Sequence, residues 1–136
     1  MDTETKIHAT IGRTAYTTKI NIREHHLIGD EPTENGGGDA GPKPSEFILA
    51  GLATCTAATL RMYADRKGWP LEHIFIDLSL VIEKIPGGQV THITRVIRFE
   101  GDIDDEQKRR LLEIAEKCPA HRLLTNEVRI NTQLAP

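Results

Sequence analysis

Three features are scarce in this sequence: cysteine, a surplus of one charge, and long apolar runs. The chain has 136 residues with 2 cysteines, and 17 Lys and Arg stand against 20 Asp and Glu, for a formal net charge of -3. Two cysteines are too few for a disulfide scaffold, so any cysteine chemistry is expected to be redox or nucleophilic. The lack of a basic surplus argues against a nucleic-acid partner.

The longest charge-free run, residues 47–60, has 14 residues, whereas a membrane-spanning helix needs about 20. The chain opens on Met1 followed by acid at Asp2 and Glu4, where a secretory signal carries base. With 38% hydrophobic and 27% charged residues, the composition is that of a folded globular chain. We therefore expect one cytoplasmic domain over residues 1–136, with no membrane partner.

Alternation of apolar and polar residues predicts five strands, arranged as two hairpins and a single last strand. The first hairpin is expected to turn at Gly12-Arg13 and the second at Pro86, Gly87 and Gly88. The strands are predicted over residues 6–11, 14–22, 74–83, 90–99 and 127–134.

A long helix is predicted from about Pro44, which suits a first helical turn, to about Lys67, which precedes Gly68. Residues 47–57 of this helix are apolar on every side, so they must be buried on every side. A chain of this length has little material with which to surround such a helix. We therefore expect a second subunit to help bury it.

A second helix is predicted from Asp104 or Asp105, either of which can cap it, to Lys117. Its charged outer face, which includes Glu116, is expected to be solvated. The order of strands, helix, hairpin, helix and strand predicts an α+β fold with an antiparallel or mixed sheet and a long buried central helix.

A long loop is predicted over residues 29–44, which hold three prolines and the glycines Gly36 to Gly38 and Gly41. Loops of this length in a small domain are usually functional or disordered, and we expect this one to fold over a site. The triple glycine, Gly36 to Gly38, matches neither of the usual phosphate-binding patterns, so these three glycines are interpreted as flexible loop.

The two cysteines occupy different predicted environments. Cys55 lies within the apolar helix, where burial disfavours a thiolate and also fits a plain core cysteine. If Pro119 opens a short helix, Cys118 is its N-cap and the helix dipole stabilises its thiolate; alternatively, Cys118 merely ends the preceding helix. A functional Cys55 needs a cation from elsewhere, and the candidates are Arg13, Arg23, His25, His26, His121 and Arg122.

The sequence has 6 histidines, including the pair His25-His26, and histidine is a common metal ligand. Adjacent residues of a strand point to opposite faces, so this pair does not form a site by itself. No Cys-x-x-Cys motif, His pair at helical spacing or Asp-rich loop accompanies it. We expect no bound metal.

The run GPKPSEFILAGLATC over residues 41–55 is followed by TLRMYA at 59–64 and KGWPL at 67–71. Together with Asp30-Glu31-Pro32 and Cys118-Pro119, these motifs resemble the OsmC/Ohr family of thiol-dependent peroxidases, and most closely its OsmC-like branch with a GPxPxE motif. The resemblance covers most of the chain. It implies an OsmC-like fold in an intertwined homodimer with two active sites at the interface.

The resemblance also implies a mechanism. Cys55 corresponds to the thiolate that attacks a peroxide O–O bond, releases alcohol or water and becomes a sulfenic acid, and Cys118 to the thiol that condenses with it to a disulfide. An external dithiol then reduces the pair. The family needs no metal or organic cofactor.

In the family a cation stands beside the first sulfur, and an acid positions that cation. The acid lies ten residues before the first cysteine, where this chain has Ser45, and we expect Glu46, nine residues before it, to substitute. On an ideal helix, nine residues is half a turn out of phase with Cys55. The family arginine lies in the N-terminal strands or the following loop. We expect Arg13, in a tight turn, to take this role in preference to Arg23, which has an acidic neighbour.

The leading functional hypothesis is therefore a peroxidase that reduces organic hydroperoxides or hydrogen peroxide. The alternative is a non-catalytic dimeric module that holds a small apolar ligand at the dimer interface, and Ser45 in place of the family acid favours it. A third hypothesis, acyl transfer through Cys55 and a histidine, has no support beyond the presence of both residue types.

Overall fold

A computed structural model describes residues 4–136. It shows the predicted α+β class, with two antiparallel sheets and three α-helices within those residues. The elements are β1 (His8–Ile11), β2 (Thr18–Ile22), β3 (His25–Gly29), α1 (Pro44–Lys67), β4 (Leu71–Ile85), β5 (Gly88–Gly101), α2 (Asp105–Ala115) and α3 (Pro119–Thr125). The described chain divides between Ile48 and Leu49 into two compact units, called here the N-terminal and the C-terminal unit.

The sheet of the N-terminal unit has the strand order β1-β2-β3, with both pairs antiparallel. The predicted first hairpin is confirmed, although its connection runs from Gly12 to Thr17 and is longer than expected. The third strand, β3, was not predicted. Two of its five residues are the histidines His25 and His26, so it lacks an apolar alternation, but its backbone pairs with β2 all the same.

Helix α1 has the predicted bounds. Gly68 follows it with a φ of +70°, the left-handed conformation that commonly ends a helix. Along the helix, the side chains buried by this chain are spaced four residues apart: Leu52, Thr56, Leu60 and Ala64. Other apolar residues of α1 are open, including Ile48 and Met62, of which Met62 is 64% exposed. A single chain thus covers only one stripe of the helix.

Helix α1 also meets the length and composition criteria for crossing a membrane, since an 18-residue window has a mean hydropathy of 1.3. This criterion allows a few charged residues within the window, whereas the run of 14 residues in the sequence analysis was defined as free of charged residues. Core helices of soluble proteins meet the same criteria, and 22% of this window is buried within the chain. The property is therefore weak support for a membrane location.

The second predicted hairpin is confirmed: β4 and β5 pair without a break from Ile85 and Gly88 at the tip to Ile74 and Phe99. Helix α2 begins where expected, because the Asp104 side chain accepts a hydrogen bond from the Gln107 amide while the Gln107 side chain accepts one from the Asp104 amide. The core of the C-terminal unit joins α1, β4 and α2, and its buried residues are Leu60, Ala64, Leu71, Ile103, Leu111, Ile114 and Ala115.

The predicted last strand is wrong. Residues 127–136 have no regular secondary structure, and Ile130 and Leu134 are 87% and 97% exposed. A strand needs a neighbouring strand to take its backbone hydrogen bonds, and within the described chain nothing pairs with this segment. Alternating side chains alone do not supply that partner.

Candidate active site

Cys118 lies between α2 and α3 and is fully buried. Pro119 is the first residue of α3, and Cys118 is its N-cap, with an extended backbone and a sulfur that accepts a hydrogen bond from the His121 amide at 3.3 Å. The structure thus takes the first of the two alternatives considered for this residue. Backbone N–H groups at a helix start are free to donate, which favours negative charge on the sulfur.

Cys55 lies on α1 and is half-buried. Its sulfur accepts a hydrogen bond from the Ala120 amide at 3.4 Å. The two sulfurs therefore contact consecutive backbone amides, those of Ala120 and His121, although the cysteines are 63 residues apart in sequence. Neither cysteine is in a disulfide.

Thr56, the residue after Cys55, is fully buried and faces Cys118. Its hydroxyl oxygen lies 3.8 Å from Cys118 Sγ and donates to the Leu52 carbonyl oxygen at 2.7 Å. The same oxygen accepts a hydrogen bond from Arg95 Nη1 at 3.0 Å. A positive charge is thus one hydroxyl group away from the buried sulfur.

Arg95 lies on β5 in the half-buried row that also contains Ile93, Ile97 and Phe99. Its side chain is only 11% exposed, and a charge removed from water needs polar partners. Arg95 Nη1 donates to Thr56, and Arg95 Nη2 lies 3.0 Å from both Glu116 Oε2 and His121 Nδ1. Thr56 lies on α1, Glu116 directly follows α2, and His121 lies on α3. Arg95 therefore connects β5 with three other parts of the C-terminal unit.

His121 Nδ1 also lies 3.2 Å from Glu116 Oε2. An arginine can only donate, so the contact with Arg95 requires His121 Nδ1 to carry no proton and to accept. A protonated His121 would instead donate to Glu116 and face Arg95 as a like charge. Which of the two contacts of His121 Nδ1 is a hydrogen bond therefore depends on whether that nitrogen carries a proton.

In the N-terminal unit, the loop after β3 is organised by the buried carboxylate of Asp30. It accepts hydrogen bonds from the amides of Tyr16, Glu31, Gly38 and Ala40 and from the Thr17 hydroxyl, at 2.7 to 3.3 Å. Burial by itself raises the pKa of Asp30. The hydrogen bonds to its ionised form outweigh that effect and hold the pKa at about 2, below the ordinary 3.8.

The glycine-rich loop is thus folded around one carboxylate. Two of its glycines are required by close backbone approach: a Cβ on Gly37 would lie 2.1 Å from the Glu31 carbonyl oxygen, and one on Gly41 would lie 2.0 Å from the Ile28 carbonyl oxygen. The interpretation of Gly37 as flexible loop therefore needs correction. That the loop folds over a site stays a prediction.

The N-terminal unit also holds an apolar cavity of about 760 Å³. Tyr16, Asp30, Glu31 and Asn35 provide polar groups among an otherwise mainly apolar lining. The apolar side chains that line it include Ile7, Ile11, Ile20, Ile22, Leu27 and Phe47. Its volume is sufficient for a small organic molecule.

The structure brings Cys55 and Cys118 to the same turn of α3. The other two predicted site residues belong to the N-terminal unit. Glu46 is exposed in the first turn of α1, where its carboxylate accepts a hydrogen bond from the Lys43 amide at 2.9 Å. Arg13 is exposed in the connection between β1 and β2. The roles of Glu46 and Arg13 beside Cys55 stay predictions.

The sequence reasoning missed Arg95 and Thr56, and it interpreted Glu116 only as solvated surface. Glu116 is indeed 64% exposed, but it pairs with Arg95. The signal for Arg95 was present: it is a charge in an otherwise apolar alternation, and such a charge is rarely buried without a partner. Within residues 4–136, no group of three or more His, Cys, Asp and Glu side chains is placed to hold a metal ion.

The chain belongs to the OsmC-like protein family, whose model matches residues 36–133. No sequence among the curated proteins matches it. An OsmC-like protein of Mycoplasma pneumoniae has a similar structure, with a TM-score of 0.79 at 19% identity over 91% of this chain and 89% of that one.

Two further solved structures share the fold and are described as organic hydroperoxide resistance proteins. The one from Legionella pneumophila has a TM-score of 0.71 at 20% identity, over 90% of each chain. The one from Bacillus subtilis has a TM-score of 0.66 at 23% identity, over 90% of this chain and 91% of that one. The predicted family and fold are thus confirmed.

Proposed function

We propose that this protein is a thiol-dependent hydroperoxide reductase that acts on organic hydroperoxides or hydrogen peroxide. The observation that carries the proposal is the pair of free sulfurs on consecutive amides, Cys55 on Ala120 and Cys118 on His121. Membership of the OsmC-like family and the hydroperoxide resistance of two proteins with the same fold support it.

In the first step, the Cys55 thiolate attacks one oxygen of the peroxide. An S–O bond forms, the O–O bond breaks, and the other oxygen leaves as alkoxide or hydroxide, which takes up a proton to give alcohol or water. Cys55 is thereby oxidised to a sulfenic acid. Its partial exposure supports this role, because a peroxide must reach the sulfur that it oxidises.

In the second step, Cys118 attacks the sulfenic sulfur of Cys55. The S–S bond forms, the S–O bond breaks and hydroxide leaves as water with the proton that Cys118 gives up. Full burial suits this second role, since Cys118 then meets an oxidised sulfur of its own protein and not free peroxide. An external dithiol reduces the disulfide to two thiols.

We further propose that Arg13 is the cation that stabilises the Cys55 thiolate and that Glu46 is the acid that positions it. The resemblance to the OsmC/Ohr family is the support for both. No metal or organic cofactor takes part in this scheme, and we propose that the protein acts in the cytoplasm.

The test of the reaction is a thiol count before and after one equivalent of organic hydroperoxide. The wild type should lose both thiols. Cys118→Ser should stop at a sulfenic acid on Cys55 that dimedone traps, and Cys55→Ser should consume no peroxide. Equal and undiminished activity in both variants would refute the assignment.

We propose that two chains form an intertwined homodimer. The uncovered apolar residues of α1 and the unpaired alternation of residues 127–134 support this, because a second chain can bury the former and supply a strand for the latter. Sedimentation at micromolar concentration should give roughly twice the chain mass of 15.2 kDa. A single chain mass that persists at high concentration would overturn the dimer.

The apolar cavity of the N-terminal unit favours a second candidate function, the non-catalytic binding of a small apolar ligand at the dimer interface. The thiol count separates the two functions. If peroxide leaves both thiols intact while an apolar fluorescent probe still binds in a saturable manner, the binding function is supported and the reductase is not.

A further inference from the structure

We propose that Arg95 is a positioning residue for the second thiol step, in which its guanidinium acts through the Thr56 hydroxyl to stabilise the Cys118 thiolate. The inference rests on the proposed function, where Cys118 is the thiol that resolves the sulfenic acid. Arg95 is separate from the cation proposed for Cys55, because it lies on β5 of the C-terminal unit and its hydrogen bond reaches the Thr56 side of the helix.

The Thr56 hydroxyl has one proton to donate and two lone pairs with which to accept. With Cys118 as a thiol, the proton goes to the Leu52 carbonyl oxygen at 2.7 Å, and the lone pairs face Arg95 and the thiol. Once Cys118 has lost its proton, the hydroxyl can turn its own proton towards the sulfur. The Leu52 carbonyl keeps its α-helical backbone partner, so this rotation leaves no backbone acceptor unpaired.

The charge of Arg95 strengthens the contact between the Thr56 hydroxyl and the Cys118 thiolate. Its side chain is 11% exposed, so water screens its attraction for a thiolate only weakly. Three side chains face the guanidinium: Thr56, which is uncharged, His121, whose Nδ1 lies 3.0 Å from Nη2, and Glu116, which carries the opposing charge. Because Glu116 is 64% exposed, solvent screens its charge more than that of Arg95. Arg95 is therefore the less screened of these two opposite charges.

The consequence is kinetic. Only the thiolate of Cys118 attacks the sulfenic sulfur of Cys55, so the rate of disulfide formation rises with the fraction of Cys118 present as thiolate, although a stabilised thiolate is individually a weaker nucleophile. Arg95 is therefore expected to act on the second step, disulfide formation.

The experiment follows the lifetime of the Cys55 sulfenic acid after one equivalent of organic hydroperoxide, with dimedone trapping at intervals. At pH 7, Arg95→Met and Arg95→Gln should each lengthen the lifetime about threefold, because less of the thiol is present as thiolate while the thiolate that remains is a better nucleophile. Arg95→Lys should restore most of the rate. The difference should shrink above about pH 9.5, because ordinary thiols are already ionised at that pH.

Arg98→Met is the matched control, because Arg98 lies on the same strand but on the opposite face, paired with Glu100 in solvent. Circular dichroism checks that each variant is folded. If the two uncharged variants do not fold, the lifetime measured in Arg95→Lys still tests the proposal. Unchanged lifetimes in Arg95→Gln, or an equal slowing in Arg98→Met, would overturn the proposal, as would a slowing in Arg95→Gln that is the same at every pH.

A second oxidant separates this proposal from the reductase function. Diamide takes up the Cys55 thiolate on its N=N bond, and the Cys118 thiolate then displaces the hydrazine to form the disulfide, with no peroxide involved. If Cys118→Ser forms no sulfenic acid with peroxide and the wild type keeps both thiols, the proposed function fails. A slower second diamide step in Arg95→Gln would still support the role of Arg95, and an unchanged one would overturn it.

Discussion

Replacement of Thr56 by valine should lower the free energy of unfolding by about 1–2 kcal/mol, because valine has a similar shape but no hydroxyl. That hydroxyl accepts the hydrogen bond from Arg95 Nη1, and a hydrogen bond to a charged group contributes about 1.5–3 kcal/mol. Burial of the additional methyl group of valine offsets about 0.8 kcal/mol of that loss of stability. The Leu52 carbonyl keeps its backbone partner and adds little to the cost.

Thr54→Val is the matched control for this prediction. The Thr54 hydroxyl donates to the Ala50 carbonyl oxygen at 2.8 Å, the same local bond as at Thr56, but its side chain is exposed. Its stability should stay within about 0.5 kcal/mol of the wild type. Urea unfolding at one fixed protein concentration measures both variants, since the stability of an oligomer depends on concentration. Equal midpoints for the two variants would refute the role assigned to the Thr56 hydroxyl.

A double-mutant cycle then isolates the contact between Thr56 and Arg95. Thr56→Val combined with Arg95→Met removes both partners, so no buried donor is left without an acceptor. The combined cost should therefore be about 1 kcal/mol less than the sum of the two single costs. Strict additivity would mean that the two side chains are not coupled.

Three further predictions concern the N-terminal unit. The hydrogen bonds to ionised Asp30, whose pKa is about 2, contribute stability that is fully present above about pH 4 and is lost as the pH falls through 2, so acid unfolding should be shallower over that range in Asp30→Asn than in the wild type. Gly41→Ala should destabilise the chain by about 1–3 kcal/mol in urea unfolding, because its Cβ would lie 2.0 Å from a backbone oxygen; wild-type stability would contradict the described loop. Alkylation of Cys55 at neutral pH should slow markedly in Arg13→Ala and little in Arg23→Ala, and the reverse result would move the role to Arg23.

Local sequence determined the elements whose signals lie within a few residues of one another. Pro44 and Gly68 bound α1, and Asp104 caps α2 through Gln107. Each of these features depends on backbone conformations and hydrogen bonds that span three or four residues, so neighbours in sequence are sufficient to predict it. The long hairpin follows from alternation around a tight turn in the same way.

Tertiary structure decided which side chains meet. Thr56 and Arg95 are 39 residues apart in sequence, and Arg95 and Glu116 are 21 apart. Nothing in the neighbourhood of Arg95 indicates that its partners lie on α1 and beside α2; the sequence shows only a charge within an apolar row. The segment 127–134 shows the opposite case. Its alternating pattern allows a strand, but only a neighbouring strand can supply the hydrogen-bond partners that its backbone needs.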